Sequence, residues 1–204
     1  MSVAKLDLVR SHTAEYAAES VPKLVEIPAA QYLAVEGSGA PGGPEFEAKV
    51  GALYSLAFTI KMTRKHAGTD YKVGPLECLW WHPGGDAEFT PESAGEWRWK
   101  LLSRIPEFVN QEDLDQALDV LRHKQKPAEI EAVRLETMTE GQCVQALHIG
   151  PYDRENETFD RMQQTVREHG LQMRGMHHEI YLSDPRRVPP ERIRTILRHP
   201  VESV

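Results

Sequence analysis

The order strand, strand, Gly/Pro loop, helix, strand, strand occurs twice in this 204-residue chain, at about 23–81 and again at about 131–182. The pattern repeats and the residues do not, and two copies are too few for a solenoid. In the first copy, residues 23–27 read as a strand stopped by Pro28, and 31–36 as a second strand. Residues 37–44 (Gly-Ser-Gly-Ala-Pro-Gly-Gly-Pro) are a loop by composition. A helix is predicted from Glu45 to just before Gly68. Its inner stripe is Val50, Tyr54, Phe58 and Met62, widened by Phe46, Leu53 and Ile60. Short strands follow at 71–73 and 76–81. The second copy has strands at 133–138 and 143–148 and a Gly150-Pro151-Tyr152 turn. A helix with Phe159, Met162 and Val166 inward comes next, and a strand over 177–182 closes the copy. Between the copies, 97–102 alternates as a half-buried strand, and 110–123 fits a helix capped by Asn110 with Leu114, Ala117, Leu118 and Leu121 inward.

The expected fold is therefore α+β: a tandem of two β-α-β-β units forming a sheet, with helices on one face and a ligand cleft on the other. Residues 1–21 read as a leader with a short helix, and 22–204 as a single domain. The basic tail from Ser183 onward reads as a closing turn and short strand. Residues 86–95 read as a flap or a long turn.

Charge narrows the functional classes. Lys plus Arg total 24 and Asp plus Glu 31, a net of −7, which disfavours nucleic acid and anionic membranes as partners. No apolar run approaches the roughly 20 residues needed to span a bilayer, and the N-terminus has no signal-peptide core. Cys78 and Cys143 form neither a disulfide framework nor a zinc site, so both are read as reduced core residues of a cytoplasmic protein. Dinucleotide, P-loop, HExxH and GxSxG motifs are missing, and no cofactor is expected. His177-His178-Glu179 resembles a ligand set, but neighbours on a strand point to opposite faces, so no metal is expected. Strand edges in such a repeat allow a monomer or a homodimer.

The last strand carries the informative alternation. His178, Ile180 and Leu182 share one face, and His177, Glu179 and Tyr181 the other. If Ile180 and Leu182 meet the helices, Glu179 and Tyr181 lie on the helix-free side beside the cleft. A carboxylate among aromatic rings there is partly desolvated and suits a cationic ligand or acid–base work. A surface Glu paired with a tail arginine is the plain alternative. Glu77, on the matching strand of the first copy, is a second acidic candidate whose face the pattern leaves open. Trp80, Trp81, Trp97 and Trp99 lie within 20 residues. Each alone suits a core, whereas two or more on a cleft face make an aromatic cage.

Leu24-Val25-Glu26-Ile27-Pro28, the tract 52–58, the segment 71–81, His148-Ile149-Gly150-Pro151-Tyr152 and the closing His177-His178-Glu179-Ile180-Tyr181-Leu182-Ser183-Asp184-Pro185-Arg186-Arg187 together resemble the stand-alone GyrI-like small-molecule-binding family. The resemblance runs over roughly 22–199 and is most specific in the closing motif. It implies a hydrophobic, aromatic pocket with a buried acid that meets lipophilic cations in multidrug-sensing regulators, and Glu179 is the matching residue. Such regulators carry a helix-turn-helix domain before the pocket. Only about 22 residues precede it here, so no DNA partner is expected.

Some stand-alone relatives are cyclopropanoid cyclopropyl hydrolases, which open the strained ring of DNA-alkylating antibiotics with water. By that resemblance Glu179 orients the water and Tyr181 is a donor or pocket wall. Tyr54, Tyr71, Trp80, Trp81, Trp97, Trp99 and Tyr152 are the candidate ligand-binding residues. Three functions stay open: a detoxifying hydrolase acting on small hydrophobic or aromatic molecules, a sequestering protein without turnover, and a protein-binding enzyme inhibitor.

Overall fold

The computed structural model describes residues 5–84 and 96–204. The expected flap at 86–95 lies outside the described residues. In chain order the elements are β1 (Leu6–Asp7), α1 (Leu8–Ser11), α2 (Thr13–Tyr16), β2 (Lys23–Ile27), β3 (Ala30–Ser38), α3 (Pro44–His66), β4 (Tyr71–Lys72), β5 (Leu76–Trp81), β6 (Arg98–Arg104), α4 (Gln111–His123), β7 (Arg134–Met138), β8 (Gly141–Ile149), α5 (Asn156–Glu168), β9 (Leu171–Met173), β10 (His177–Tyr181) and β11 (Arg194–Ser203). The chain is α+β, as its patterning implies. It divides into two compact units, and neither coincides with one copy of the repeated pattern. β2, adjacent to β3 in the chain, pairs with β8, whereas β7, adjacent to β8, pairs with β3. Each copy thus contributes its first strand to the other copy's unit.

The first unit holds the chain up to Ser11, Ala30–Gly74 and Trp80–Met138. Here β3 lies antiparallel between β6 and β7, pairing Tyr32 with Arg104 on one side and Leu33 with Leu135 on the other. Gly37 faces Trp99 across the ladder, and a Cβ there would stand 2.1 Å from the indole. The indole fills that space, fully buried, with the Phe46 ring edge-on at 5.1 Å. Asn110 and Asp113 cap the start of α4 reciprocally, satisfying two orphan backbone donors, and Asp113 also binds Arg64 of α3. The expected leader is partly structured: β1 runs parallel to β4, pairing Leu6 with Tyr71.

Of the stripe predicted for α3, Leu53 and Ile60 are buried as expected, and the rest is corrected. The buried residues are Ala52, Leu53, Leu56, Ala57 and Ile60. Val50 and Tyr54 are only half-buried, while Phe58 and Met62 are 54% and 43% exposed. Small alanines let the helix backbone approach the sheet, and a pattern weighted to large side chains passes over them.

The second unit holds His12–Ala29, Pro75–Leu79 and Thr139–Val204. Its strands run in the order β2-β8-β11-β10, followed by the first part of β5, and β9 pairs with the far end of β11. The tail is therefore a ten-residue strand at the centre of this unit's sheet, longer and more interior than the short closing strand expected. Arg198, His199 and Pro200 break its apolar alternation and hide it. Pro200 falls between the residues paired to β10 and those paired to β9, where a missing N–H interrupts no continuous ladder on that side. α5 seals one face, with Met162 and Val166 against Val144, Ala146, Leu197 and Val201.

Candidate functional site

Register in the second unit sets three rows on the face that α5 covers. Tyr181, Thr195 and His148 lie side by side, then Glu179, Leu197 and Ala146. His177, His199 and Val144 make the third row, with the two imidazoles 6.0 Å apart. Glu179 and Tyr181 share a face opposite His178 and Ile180, as alternation requires. The helix, however, packs on the Glu179 face and not on the Ile180 face, which corrects the expected orientation. Alternation shows which residues share a face. It does not show which face the helix takes, and Ile180 and His178 find their cover elsewhere.

His178 is fully buried between two carboxylates, its Nε2 3.1 Å from Glu77 Oε2 and its Nδ1 3.0 Å from Glu140 Oε1. Arg198 Nη1 donates to the other Glu140 oxygen at 2.7 Å, and its Nε donates to Gln145 Oε1 at 2.8 Å. The Tyr16 hydroxyl donates to Glu77 Oε1 at 2.6 Å, so α2 joins the network. Burial alone would keep His178 neutral, but Glu140 and Glu77 raise its pKa to about 9. Burial likewise opposes Glu140's charge, and His178 with Arg198 overcomes it, holding that carboxyl near 2. Glu140 and Arg198 thus meet the charged His178 with opposite and balancing groups around it, which is how ionised groups tolerate a dry interior. Glu77 is thus a structural partner here and not a ligand-facing acid.

Glu179 lies on the other face and is 15% exposed, with its Oε1 3.7 Å from His177 Nε2. Burial, with His199 and His178 nearby, drives His177 down to about 3, so that imidazole is neutral. Tyr152 meets Tyr181 edge to face at 6.0 Å, and Tyr152 is 41% exposed. Its phenol is raised to about 12 by burial and by Glu155, Glu179 and Asp184. Glu155, at the N-cap of α5, has its carboxyl raised well above the ordinary range. Burial is the main cause and the Glu179 charge the second, and they outweigh the preference of a helix N-terminus for an anion. Glu155 Oε1, Thr195 Oγ1 and His177 Nδ1 are all buried without a hydrogen-bond partner. The Thr195 hydroxyl faces Glu155 closely enough to ease its shift.

The turn carrying Tyr152 is pinned from below. His148 Nε2 donates to the Pro151 carbonyl at 3.2 Å, and its Nδ1 accepts from Thr158 of α5 at 3.0 Å. That bonding selects the neutral Nε2–H tautomer, in keeping with a pKa lowered chiefly by burial. Gly150 has φ +146, and a Cβ on it would come within 3.2 Å of His148 Nε2. A small cleft of about 100 Å³ opens beside this turn, between His148, Arg154 and Glu157.

Of the nine residues proposed from sequence, Glu179, Tyr181 and Tyr152 come together in the second unit. The other six belong to the first. Tyr71, Trp80, Trp97 and Trp99 are buried there, Trp80 stacked on Phe46 at 5.9 Å and Trp97 edge-on to His82 at 5.8 Å. Tyr54 and Trp81 are half-buried, Tyr54 beside Phe58 at 6.0 Å. A larger cleft of about 290 Å³ in that unit, lined by Glu47, Gly51, Ser55 and Lys126 among others, holds none of the nine. Sequence reading passed over Glu155 because it sits in a wholly hydrophilic run, Asp-Arg-Glu-Asn-Glu, where no spacing sets it apart.

A family model described as the GyrI-like small molecule binding domain matches residues 20–202. A crystal structure described as a hydrolase from Listeria innocua is 36% identical, covering 98% of this chain and all of its own, with a TM-score of 0.90. An uncharacterised conserved protein from the same organism is also 36% identical, covering 97% of this chain and all of its own, with a TM-score of 0.91. The C-terminal domain of EcmrR shares the fold at 14% identity and a TM-score of 0.57, over 90% of this chain and 98% of that one. No curated protein matches the chain.

Proposed function

This chain belongs to the GyrI-like small-molecule-binding family, and from that premise we propose that it detoxifies hydrophobic or aromatic, cationic or electrophilic molecules by hydrolytic opening of a cyclopropane ring in DNA-alkylating antibiotics. The observation that carries the reading is Glu179: a carboxylate 15% exposed, beside a neutral imidazole and on the same face as the Tyr152–Tyr181 pair. Aromatic edges hold a flat ring, and a partly desolvated carboxylate orients an attacking water. The Listeria innocua structure described as a hydrolase, at 36% identity over nearly the whole chain, supports turnover over mere binding. Glu179 and Tyr181 are the proposed reacting groups, with Tyr152 as a wall. Tyr54 and Trp81 keep exposed surface for a ligand, whereas Tyr71, Trp80, Trp97 and Trp99 are assigned to packing.

No helix among the described residues is long and apolar enough to cross a membrane. A cytoplasmic monomer or homodimer with a small molecule as its partner, and no nucleic acid, completes the proposal. Cys78 and Cys143, both buried, suit a reducing compartment.

The test is incubation with a cyclopropane-bearing dienone, followed by mass spectrometry. Gain of one water with the wild type, and its loss with Glu179→Gln, is the expected result. A compound that raises the melting temperature yet returns unchanged would leave a sequestering protein instead.

A further inference from the structure

We propose that the outer side of α3 is a dimerisation surface, on which a second copy of this chain packs antiparallel across a two-fold axis level with Leu56. The inference stands apart from the hydrolytic reading of the Glu179 face, and it selects the homodimer from the two oligomeric states left open there. Along that side, Glu47, Gly51, Tyr54, Phe58, Met62 and Lys65 fall 4, 3, 4, 4 and 3 residues apart. On a helix of 3.6 residues per turn they share one stripe about 80° wide. Ala52, Leu53, Leu56, Ala57 and Ile60 lie on the other side and are the residues buried in the protomer. Phe58 is 54% and Met62 43% exposed, and Glu47, Gly51 and Lys65 are exposed as well. The half-buried Tyr54 has its ring 6.0 Å from that of Phe58. An apolar centre flanked by charges is the make-up of an interaction surface.

The stripe complements itself when it is reversed. About that two-fold, Glu47 stands opposite the partner's Lys65, Tyr54 opposite the partner's Phe58, and Gly51 opposite the partner's Met62, and symmetry makes every pair twice. The first turn of α3 is acidic, with Glu45 and Glu47, and the last is basic, with Arg64, Lys65 and His66. Antiparallel packing therefore brings opposite charges and opposite ends of the helix dipole together, whereas parallel packing sets like against like. Within the protomer Glu45 is held by Lys49, Arg64 by Asp113 and Lys61 by Asp70. That leaves Glu47 and Lys65, the latter also within reach of Asp70, as the charges of the stripe itself.

Gly51 is an independent observation. Glycine in a helix interior is less stable than alanine, and a Cβ on Gly51 would meet nothing within 4 Å. The protomer's own packing gives no reason for a glycine there, and the close approach of a second helix does. The cleft of about 290 Å³ that flanks Gly51 and Ser55 leaves room for the flexible side chain of the partner's Met62. At 23 residues α3 is about 35 Å long. One such helix laid on its copy makes a contact at the low end of specific interfaces, so the dimer comes apart on dilution. Tyr54 and Phe58 at its centre supply most of the affinity, and the charged ends set the direction.

Sedimentation velocity of the full chain over a dilution series tests the surface, and it makes no use of dienone turnover. The wild type should pass from dimer to monomer as it is diluted. Phe58→Glu, at a position exposed in the protomer, should raise the dissociation constant about thirtyfold and leave the thermal melt of the dilute protein in place. Glu47→Lys and Lys65→Glu should each raise it about fivefold. The double variant, with both charges exchanged, should return to within about twofold of the wild type, a rescue that the antiparallel pairing requires. A wild type that stays monomeric at every concentration overturns the proposal and leaves the stripe to a different partner. A dimer that Phe58→Glu leaves intact overturns it by placing the interface elsewhere. A dilute Phe58→Glu protein that melts well below the wild type overturns it by showing the stripe packed within its own chain. Failure of the double variant to recover, with both single variants weakened, overturns the antiparallel arrangement.

Discussion

His178 and Glu179 are neighbours in the chain with opposite fates. His178 is a buried cation held by Glu77 and Glu140, and Glu179 is a partly exposed acid beside the neutral His177 imidazole. The buried group makes stability depend on pH with a definite sign. His178's folded pKa lies above its ordinary 6.5, so its contribution is full below 6.5 and is lost as pH rises towards 9. Glu140's lies below its ordinary 4.5, so its contribution is full above 4.5 and fades as pH falls towards 2. Both are complete between pH 4.5 and 6.5, so the stability that Glu140→Gln removes, read from denaturant melts of the two proteins, should be largest there. Replacing Glu140 by Gln leaves a buried cation short of a partner and should cost about 3–5 kcal/mol in the same melts. Gly37→Ala drives a Cβ into the Trp99 indole and should cost about 1–3 kcal/mol, with near-ultraviolet circular dichroism reporting a displaced tryptophan.

Single elements separate what periodicity can see from what packing decides. α4 matched its sequence reading because a capping box is local chemistry, written in Asn110 and Asp113 three residues apart. Asn110→Ala should therefore cost about 1 kcal/mol. α3 misled in part, because the row Val50, Tyr54, Phe58 and Met62 is not its buried one, whereas Leu53 and Ile60 beside it are. Phe58→Gln and Met62→Gln, at exposed positions, should change stability by no more than about 0.5 kcal/mol. Leu56→Ala, fully buried, should cost about 2–5 kcal/mol, and urea titration of the three variants ranks the two stripes directly. β11 misled in the other sense. Its buried Arg198 reads as surface until Glu140 and Gln145 are seen to meet it.

For the whole chain, the repeated pattern and the compact units do not coincide, since β2 and β7 each pair outside their own copy. A fragment spanning residues 139–204 lacks β2, the network residues of α2, and Glu77. It should show no cooperative thermal transition, whereas the full chain should. Recovery of a native-like fold by that fragment alone would contradict this division.

Sequence alone determined the order of elements within the two repeated patterns, the α+β class, the family resemblance carried by the closing motif, and which residues of β10 share a face, because these follow from spacing along one chain. Tertiary structure decided which face of that strand α5 covers and that Glu77 and His178 are buried partners. The physical reason is that burial and electrostatic coupling depend on residues brought close from distant parts of the chain. Glu15, Glu77, Glu140 and Arg198 span most of its length and acquire their partners only when it folds.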